Sequence, residues 1–69
     1  MKRTIRELRE ERFWTQYELA NKLGIRAETV STWERGIVRP QGRHIRAIAE
    51  VFGVSPMEIE LPEGKVIAA

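Results

Sequence analysis

The sequence predicts an all-α fold, a compact domain of five short helices. Apolar residues recur at three- and four-residue steps along most of the chain, as they do on one face of a helix. Capping boxes and glycines mark where successive helices begin and end. A chain of 69 residues forms one domain. We expect that domain to cover residues 1–61 and a short C-terminal tail to cover residues 62–69.

The helix boundaries follow from local signals. The predicted helices cover residues 4–12, 16–23, 27–35 and 42–52, and a fifth short helix opens at Ser55. The strongest start signal is the capping box of Thr15 and Glu18, and Gly24 is the matching stop. The third helix lacks a capping side chain, because Arg26 stands where Ser or Thr is preferred, and positions that break a local rule are often functional. The apolar faces predict a core that contains Leu19, Leu23, Val30, Trp33, Ile45, Ile48 and Phe52.

Composition argues against several classes of protein. There is no cysteine, so disulfides, thiol redox chemistry and zinc fingers are excluded, and one histidine, His44, cannot assemble a metal site. There is no aspartate and no nucleophile motif beside the histidine, so we expect no enzyme, no cofactor and no bound metal. No apolar run approaches the roughly 18 residues that span a bilayer, and the charged N-terminus lacks the apolar stretch of a signal peptide. We expect a cytoplasmic protein with no membrane contact and no room for a small-molecule pocket.

Charge is unevenly distributed along the chain, whose formal net charge is +2. Residues 1–50 carry eleven basic and seven acidic side chains, a net charge of +4. Residues 51–69 carry one basic and three acidic side chains, a net charge of −2. A basic body is typical of proteins that bind a polyanion, although many solvated helical domains share it.

Two of the predicted helices form a helix-turn-helix unit. The segments TQYELANKLG and AETVSTWERG are separated only by Ile25 and Arg26, and Gly24 permits the sharp turn. Together with Arg39-Pro40 and the segment IAEVFGVS at 48–55, they resemble the Cro/C1-type (Xre) family of helix-turn-helix proteins. The resemblance covers most of the chain. It implies a five-helix lambda-repressor-like fold, sequence-specific binding to double-stranded DNA, and a homodimer on a palindromic operator.

The resemblance also implies roles for individual residues. Gln16 matches the residue that bonds a phosphate and braces the recognition helix, and Arg9 with Glu34 matches a structural charge pair. The residues implied to face base edges are Arg26, Ala27, Glu28 and Thr32. The residues implied to flank these or to face phosphates are Thr29, Arg35, Arg39 and Arg43.

Some of these positions have a structural alternative. Glu28 lies in the first turn of its helix and Arg35 at its end, where each stabilises the helix dipole. As a base reader, Glu28 would accept a hydrogen bond from a cytosine amino group. The sequence departs from the family pattern at Phe13, where a small residue is usual, and at Gly42, where an apolar residue is usual.

The segment around the predicted fifth helix is more apolar than a small monomer requires. We expect Val54, Pro56, Met57 and Ile59 to form a dimer interface, with closure of the core as the alternative. The leading hypothesis is a DNA-binding transcriptional regulator, a repressor, that reads the major groove through the helix at 27–35. Because there is no room for a ligand pocket, we expect its regulation to come through abundance, degradation or a second regulatory protein. The alternative is a protein-interaction module, such as an antitoxin or adaptor, whose main partner is another protein.

Overall fold

Four α-helices form most of the structure, a computed structural model that describes residues 2–66. In chain order the elements are β1 (Arg3–Thr4), α1 (Ile5–Glu11), α2 (Gln16–Leu23), α3 (Ala27–Glu34), β2 (Val38–Arg39), α4 (Gly42–Phe52), a 3-10 helix (Pro56–Glu58), β3 (Ile59–Glu60) and β4 (Lys65–Val66). No helix among the described residues has the length and apolar character needed to cross a membrane.

The helices begin and end where the sequence places their caps. The Thr15 hydroxyl accepts a hydrogen bond from the Glu18 amide at 3.0 Å, and the Glu18 carboxylate accepts one from the Thr15 amide at 2.8 Å. Gly24 ends α2 in the left-handed conformation, with φ of 70°. The bounds of α2 and α4 match the prediction. The helices α1 and α3 are slightly shorter than predicted, because their outermost residues act as caps.

The core lies where the inner faces of the four helices meet. Ten apolar residues are buried in one cluster: Ile5, Leu8, Leu19, Ala20, Val30, Trp33, Ile48, Ala49, Phe52 and Ile59. Of the predicted core residues, Leu23 and Ile45 are only half-buried. Leu8, Leu19, Val30 and Ile48 have no exposed surface, so each contributes about 1.5–3 kcal/mol of burial free energy.

The prediction of a fifth α-helix is wrong, because the segment forms a 3-10 helix instead. Together with the short strands, this segment makes the fold not purely α-helical. Ser55 opens the segment with a capping box and Pro56 occupies its first position, but the segment is a 3-10 helix of three residues. It ends there because Ile59 adopts an extended conformation and pairs in parallel with Arg3, as β3 against β1. This pairing buries the Ile59 side chain, and a continuing helix would lose that burial.

A second short parallel pair joins the C-terminal segment to the loop after α3. Lys65 and Val66 of β4 lie beside Val38 and Arg39 of β2. At Gly64 the backbone packs so closely that an added Cβ would lie 2.5 Å from the carbonyl carbon of Ile37. The described part of the predicted tail is therefore attached to the body of the domain, while residues 67–69 lie outside the described residues.

Trp14 closes one end of the core. It is half-buried, and its ring stacks on that of Phe52 with centroids 5.8 Å apart and an interplanar angle of 19°. The Lys22 ammonium lies 4.6 Å from the centroid of the Trp14 ring, and the Arg12 guanidinium lies 4.9 Å from that of Phe52. Arg12 also donates hydrogen bonds to the carbonyl oxygens of Leu8 and Phe52, which ties the end of α1 to the end of α4.

Phe13 sits in a strained conformation without burial. Its φ is 58°, in the left-handed region, and its side chain is 92% exposed. We expect Phe13→Gly to raise the free energy of unfolding by about 0.5–1 kcal/mol. The relieved left-handed penalty of about 1–2 kcal/mol exceeds the added entropy of glycine in the unfolded chain. Thermal unfolding measures the effect, with Phe13→Ala as the control because it keeps the Cβ. Equal melting temperatures for the two variants would contradict this reasoning.

Candidate nucleic-acid interface

The helices α2 and α3 pack at a tight turn. The left-handed Gly24 reverses the chain, and the amide of Ile25 donates a hydrogen bond to the carbonyl oxygen of Ala20 at 3.0 Å. Ala20 is 2% exposed, so the small side chain lies at the crossing of the two helices. This turn fixes the orientation of α3 relative to the rest of the domain.

A largely buried ion pair holds α3 from its inner side. The Arg9 guanidinium forms two hydrogen bonds with the Glu34 carboxylate, with N–O distances of 2.6 and 2.9 Å. The side-chain exposures are 12% for Arg9 and 4% for Glu34. The Gln16 amide donates a third hydrogen bond to Glu34 at 3.0 Å, and Arg9 donates another to the Trp14 carbonyl oxygen at 2.7 Å. Side chains from α1 and α2 thus meet at the last residue of α3.

The contacts within this ion pair shift the pKa of each partner toward its charged form. Burial by itself would raise the pKa of Glu34, but the hydrogen bonds from Arg9 and Gln16 and the charges of Arg9 and Arg6 outweigh it and lower that pKa. The hydrogen bond to Glu34 raises the pKa of Arg9, against the opposing effect of burial. Both groups therefore stay ionised at neutral pH, and the carboxylate has three donors.

The residues implied to face bases lie at the N-cap of α3 and along the helix as far as Thr32. Arg26 and Glu28 are exposed, and Ala27, Thr29 and Thr32 are half-buried. Arg26 is the N-cap and forms no capping hydrogen bond, as the sequence predicts. The Thr32 hydroxyl donates to the Thr29 carbonyl oxygen at 2.7 Å, so it offers a methyl group and an acceptor to an external partner.

Most of the residues implied to face bases line one of two surface grooves. The α3–α4 groove, with a volume of about 260 Å³, is lined by Glu28, Thr29, Thr32, Trp33, Val38, Arg39, Gln41 and His44. The α2–α3 groove, with a volume of about 290 Å³, is lined by Tyr17, Ala20, Asn21, Ile25, Arg26 and Ala27. Tyr17 and His44 cannot be assigned to the interface from the sequence, because each occupies an ordinary helix position with no motif attached.

The arginines implied to face phosphates lie between the end of α3 and the first turn of α4. Arg35 follows the helix directly, and its Nε donates to the Ser31 hydroxyl at 3.2 Å. The Arg39 guanidinium donates to the Pro62 carbonyl oxygen at 3.3 Å and is half-buried. Arg43 is exposed in the first turn of α4. Gln16 is turned inward to Glu34, which is the contact that a bracing role requires.

The residues predicted to form a dimer interface do not share one environment. Met57 is 82% exposed, Pro56 is exposed and Val54 is half-buried against the core. Ile59 is 2% exposed and belongs to the core. Its inclusion in the dimer interface is corrected, because a side chain buried in the protomer cannot reach a second copy.

His44 lies half-buried at the α3–α4 groove, with its ring centroid 5.5 Å from that of Trp33. Burial, reinforced by the charge of Arg43, lowers the pKa of His44 below its ordinary value of 6.5.

This lowered pKa predicts a pH-dependent stability. The contribution of neutral His44 to the free energy of unfolding is fully present above its unfolded-state pKa. It is lost as pH falls through its folded-state pKa, because the unfolded chain takes up the proton first. We expect the wild-type protein to lose more stability than His44→Gln between about pH 7 and about pH 5. Urea unfolding at a series of pH values measures the difference. Parallel curves for the two proteins would contradict the prediction.

The helices α2 and α3 and the turn between them define a helix-turn-helix domain. A helix-turn-helix family model matches residues 5–59. A protein of Archaeoglobus fulgidus, described as an uncharacterized HTH-type transcriptional regulator, is 44% identical over 52 residues, which are 75% of this chain and 74% of that protein. No solved structure matches the chain. The chain belongs to the Cro/C1-type helix-turn-helix family of DNA-binding transcriptional regulators.

Proposed function

We propose that this protein is a sequence-specific repressor that inserts α3 into the major groove of double-stranded DNA. The major groove is about 12 Å wide and admits one α-helix. Glu28 and Thr32 then read base edges, while Arg35, Arg39 and Arg43 contact phosphates on either side. A repressor needs no more than this, since occupancy of the operator by itself excludes other proteins.

The observation that carries the proposal is the division of α3 into two faces. Its inner face is fixed by burial of Val30 and Trp33 and by the ion pair at Glu34. Its outer face exposes Arg26 and Glu28, whose side chains are not used by the core. A rigidly held helix with unused polar side chains is what direct readout of bases requires.

We further propose that the protein acts as a homodimer on a palindromic operator. A single small domain buries too little DNA surface for strong discrimination, and a two-fold dimer doubles the contact. The candidate interface is Val54, Pro56 and Met57, of which Met57 is the most exposed apolar side chain. Sedimentation over a range of concentrations tests this, since Met57→Glu should shift the protein to a monomer.

Selection from a random duplex library, at two salt concentrations, tests the proposed DNA binding. We expect a palindromic motif for the wild-type protein. Glu28→Ala and Thr32→Ala should each change the preferred base at one position of every half-site, and each should reduce discrimination by about 1–3 kcal/mol. Glu50→Ala is the matched control, because Glu50 is also exposed and carries the same charge but lies near the end of α4. Binding without any motif would overturn the proposal.

A protein-interaction module, such as an antitoxin or adaptor, is the second candidate function. The strained and exposed Phe13 favours it, because an aromatic side chain kept in an unfavourable backbone conformation without burial is suited to contact a partner. The same selection separates the two candidates, since an interaction module shows only weak, salt-sensitive and motif-free binding to DNA.

A further inference from the structure

Tyr17 faces the same groove as the start of the recognition helix. It lies in the first turn of α2 and lines the α2–α3 groove together with Arg26 and Ala27. The two elements are brought together by the tight turn at Gly24 rather than by nearness in sequence.

The Tyr17 side chain takes no part in the core or in the hydrogen bonds of the described part of the chain. It is 68% exposed and lies outside the core cluster, and its hydroxyl has no hydrogen-bond partner among residues 2–66. The neighbouring Glu18 carboxylate is held at the Thr15 amide, so its charge is directed toward the cap of α2. A large amphipathic side chain thus stands at the edge of the recognition surface.

We propose that Tyr17 is a further DNA-contacting residue, whose hydroxyl donates a hydrogen bond to a phosphate oxygen bordering the half-site. This assignment rests on the proposed function. When α3 lies in the major groove, the first helix of the unit, α2, crosses the sugar–phosphate backbone. With Arg26 and Ala27 at the base edges, the part of their groove that Tyr17 lines therefore lies beside that backbone. A phenol suits that position, because its hydroxyl can donate to a phosphate while its ring packs on the deoxyribose.

The proposed Tyr17 contact differs from the arginine contacts in its charge and therefore in the salt dependence of binding. Tyrosine carries no charge at neutral pH, so its removal weakens binding without altering the number of counterions released. A phosphate contact also carries no sequence information, so its removal weakens all operator variants equally.

The test compares the wild-type protein with Tyr17→Phe on the selected duplex. This substitution removes one hydroxyl and leaves the ring, so unchanged thermal unfolding is the control for folding. We expect binding to weaken about 10-fold at every salt concentration, with the same salt slope and the same preferred bases. Replacing the contacted phosphate by a neutral methylphosphonate should weaken the wild-type protein but not Tyr17→Phe.

Results that contradict the Tyr17 assignment can be told apart from a result that contradicts the proposed function. Equal affinities of the wild-type protein and Tyr17→Phe would overturn the assignment of Tyr17 and leave the proposed function standing. A change in the preferred base would also overturn it, since it would make Tyr17 a base-reading residue. If the wild-type protein selects no motif, the proposed function and the assignment fall together.

Discussion

Replacing Glu34 by alanine is expected to lower the free energy of unfolding by about 3–5 kcal/mol, the usual cost of removing one partner of a buried ion pair. Glu34 accepts two hydrogen bonds from Arg9 and one from Gln16, so the substitution leaves a largely buried guanidinium and an amide without their acceptor. A domain of this size has about 3–5 kcal/mol of stability in total. The two figures are similar, so the free energy of unfolding of Glu34→Ala should be near zero and a large fraction of its molecules should be unfolded at 25 °C. Circular dichroism and urea titration measure this directly.

A double variant distinguishes the effect of breaking the pair from the effect of reduced packing. Arg9→Met with Glu34→Leu replaces both charges by apolar side chains of similar volume. Such replacements are often neutral or stabilising, because no charge is left buried and unpaired. The Gln16 amide and the Trp14 carbonyl oxygen still lose one hydrogen-bond partner each. We expect the free energy of unfolding of the double variant to lie within about 1–2 kcal/mol of that of the wild-type protein. A decrease of less than about 1 kcal/mol in Glu34→Ala would show that solvent reaches Arg9 and replaces the missing carboxylate.

Removing two arginines beside the recognition helix should weaken DNA binding about 100-fold. In the proposed complex, Arg35 and Arg43 each form a charge-assisted hydrogen bond with a phosphate, and two such bonds account for an effect of this size. The slope of log K against log salt should also become shallower by about 0.9 for each phosphate that the variant no longer neutralises. Titrations of Arg35→Ala with Arg43→Ala, at several salt concentrations, provide both quantities.

The matched control removes the same charge from another surface. Arg3→Ala with Arg6→Ala takes two arginines from the region of α1, where Arg3 is paired with Glu11 and Arg6 with Glu10. The net charge changes equally in both double variants. If the control weakens binding as strongly and alters the salt slope as much, then the protein attracts DNA only through its overall charge, and the two sites have no special role.

The sequence predicts those features whose causes are local. The bounds of α2 follow from Thr15, Glu18 and Gly24, all within one turn of the ends that they define. The absence of a cap at Arg26 is likewise visible from the residue type. Periodicity predicts most of the core, although Ile45 shows that an apolar residue on the inner stripe of a helix can remain half-exposed near a helix start.

The features that sequence reasoning misses depend on distant parts of the chain. The sequence pattern places Ile59 on the surface because it follows a short helix signal, but its partner in the strand pair is Arg3 at the other end of the chain. Two-residue strands carry too little alternation to be recognised. Tyr17 resembles any exposed helix residue until the turn at Gly24 brings it to the same groove as Arg26.

The pairing of Arg9 with Glu34 also bears on how such a regulator diverges. The ion pair and the burial of Val30 and Trp33 anchor α3 entirely from within, so its scaffold is independent of the side chains on its outer face. Substitutions of exposed residues away from such anchors usually change stability by no more than about 0.5 kcal/mol. Under the proposed function, gene duplicates of this protein acquire new operators by changing Arg26 or Glu28, with little selection against the intermediates for instability.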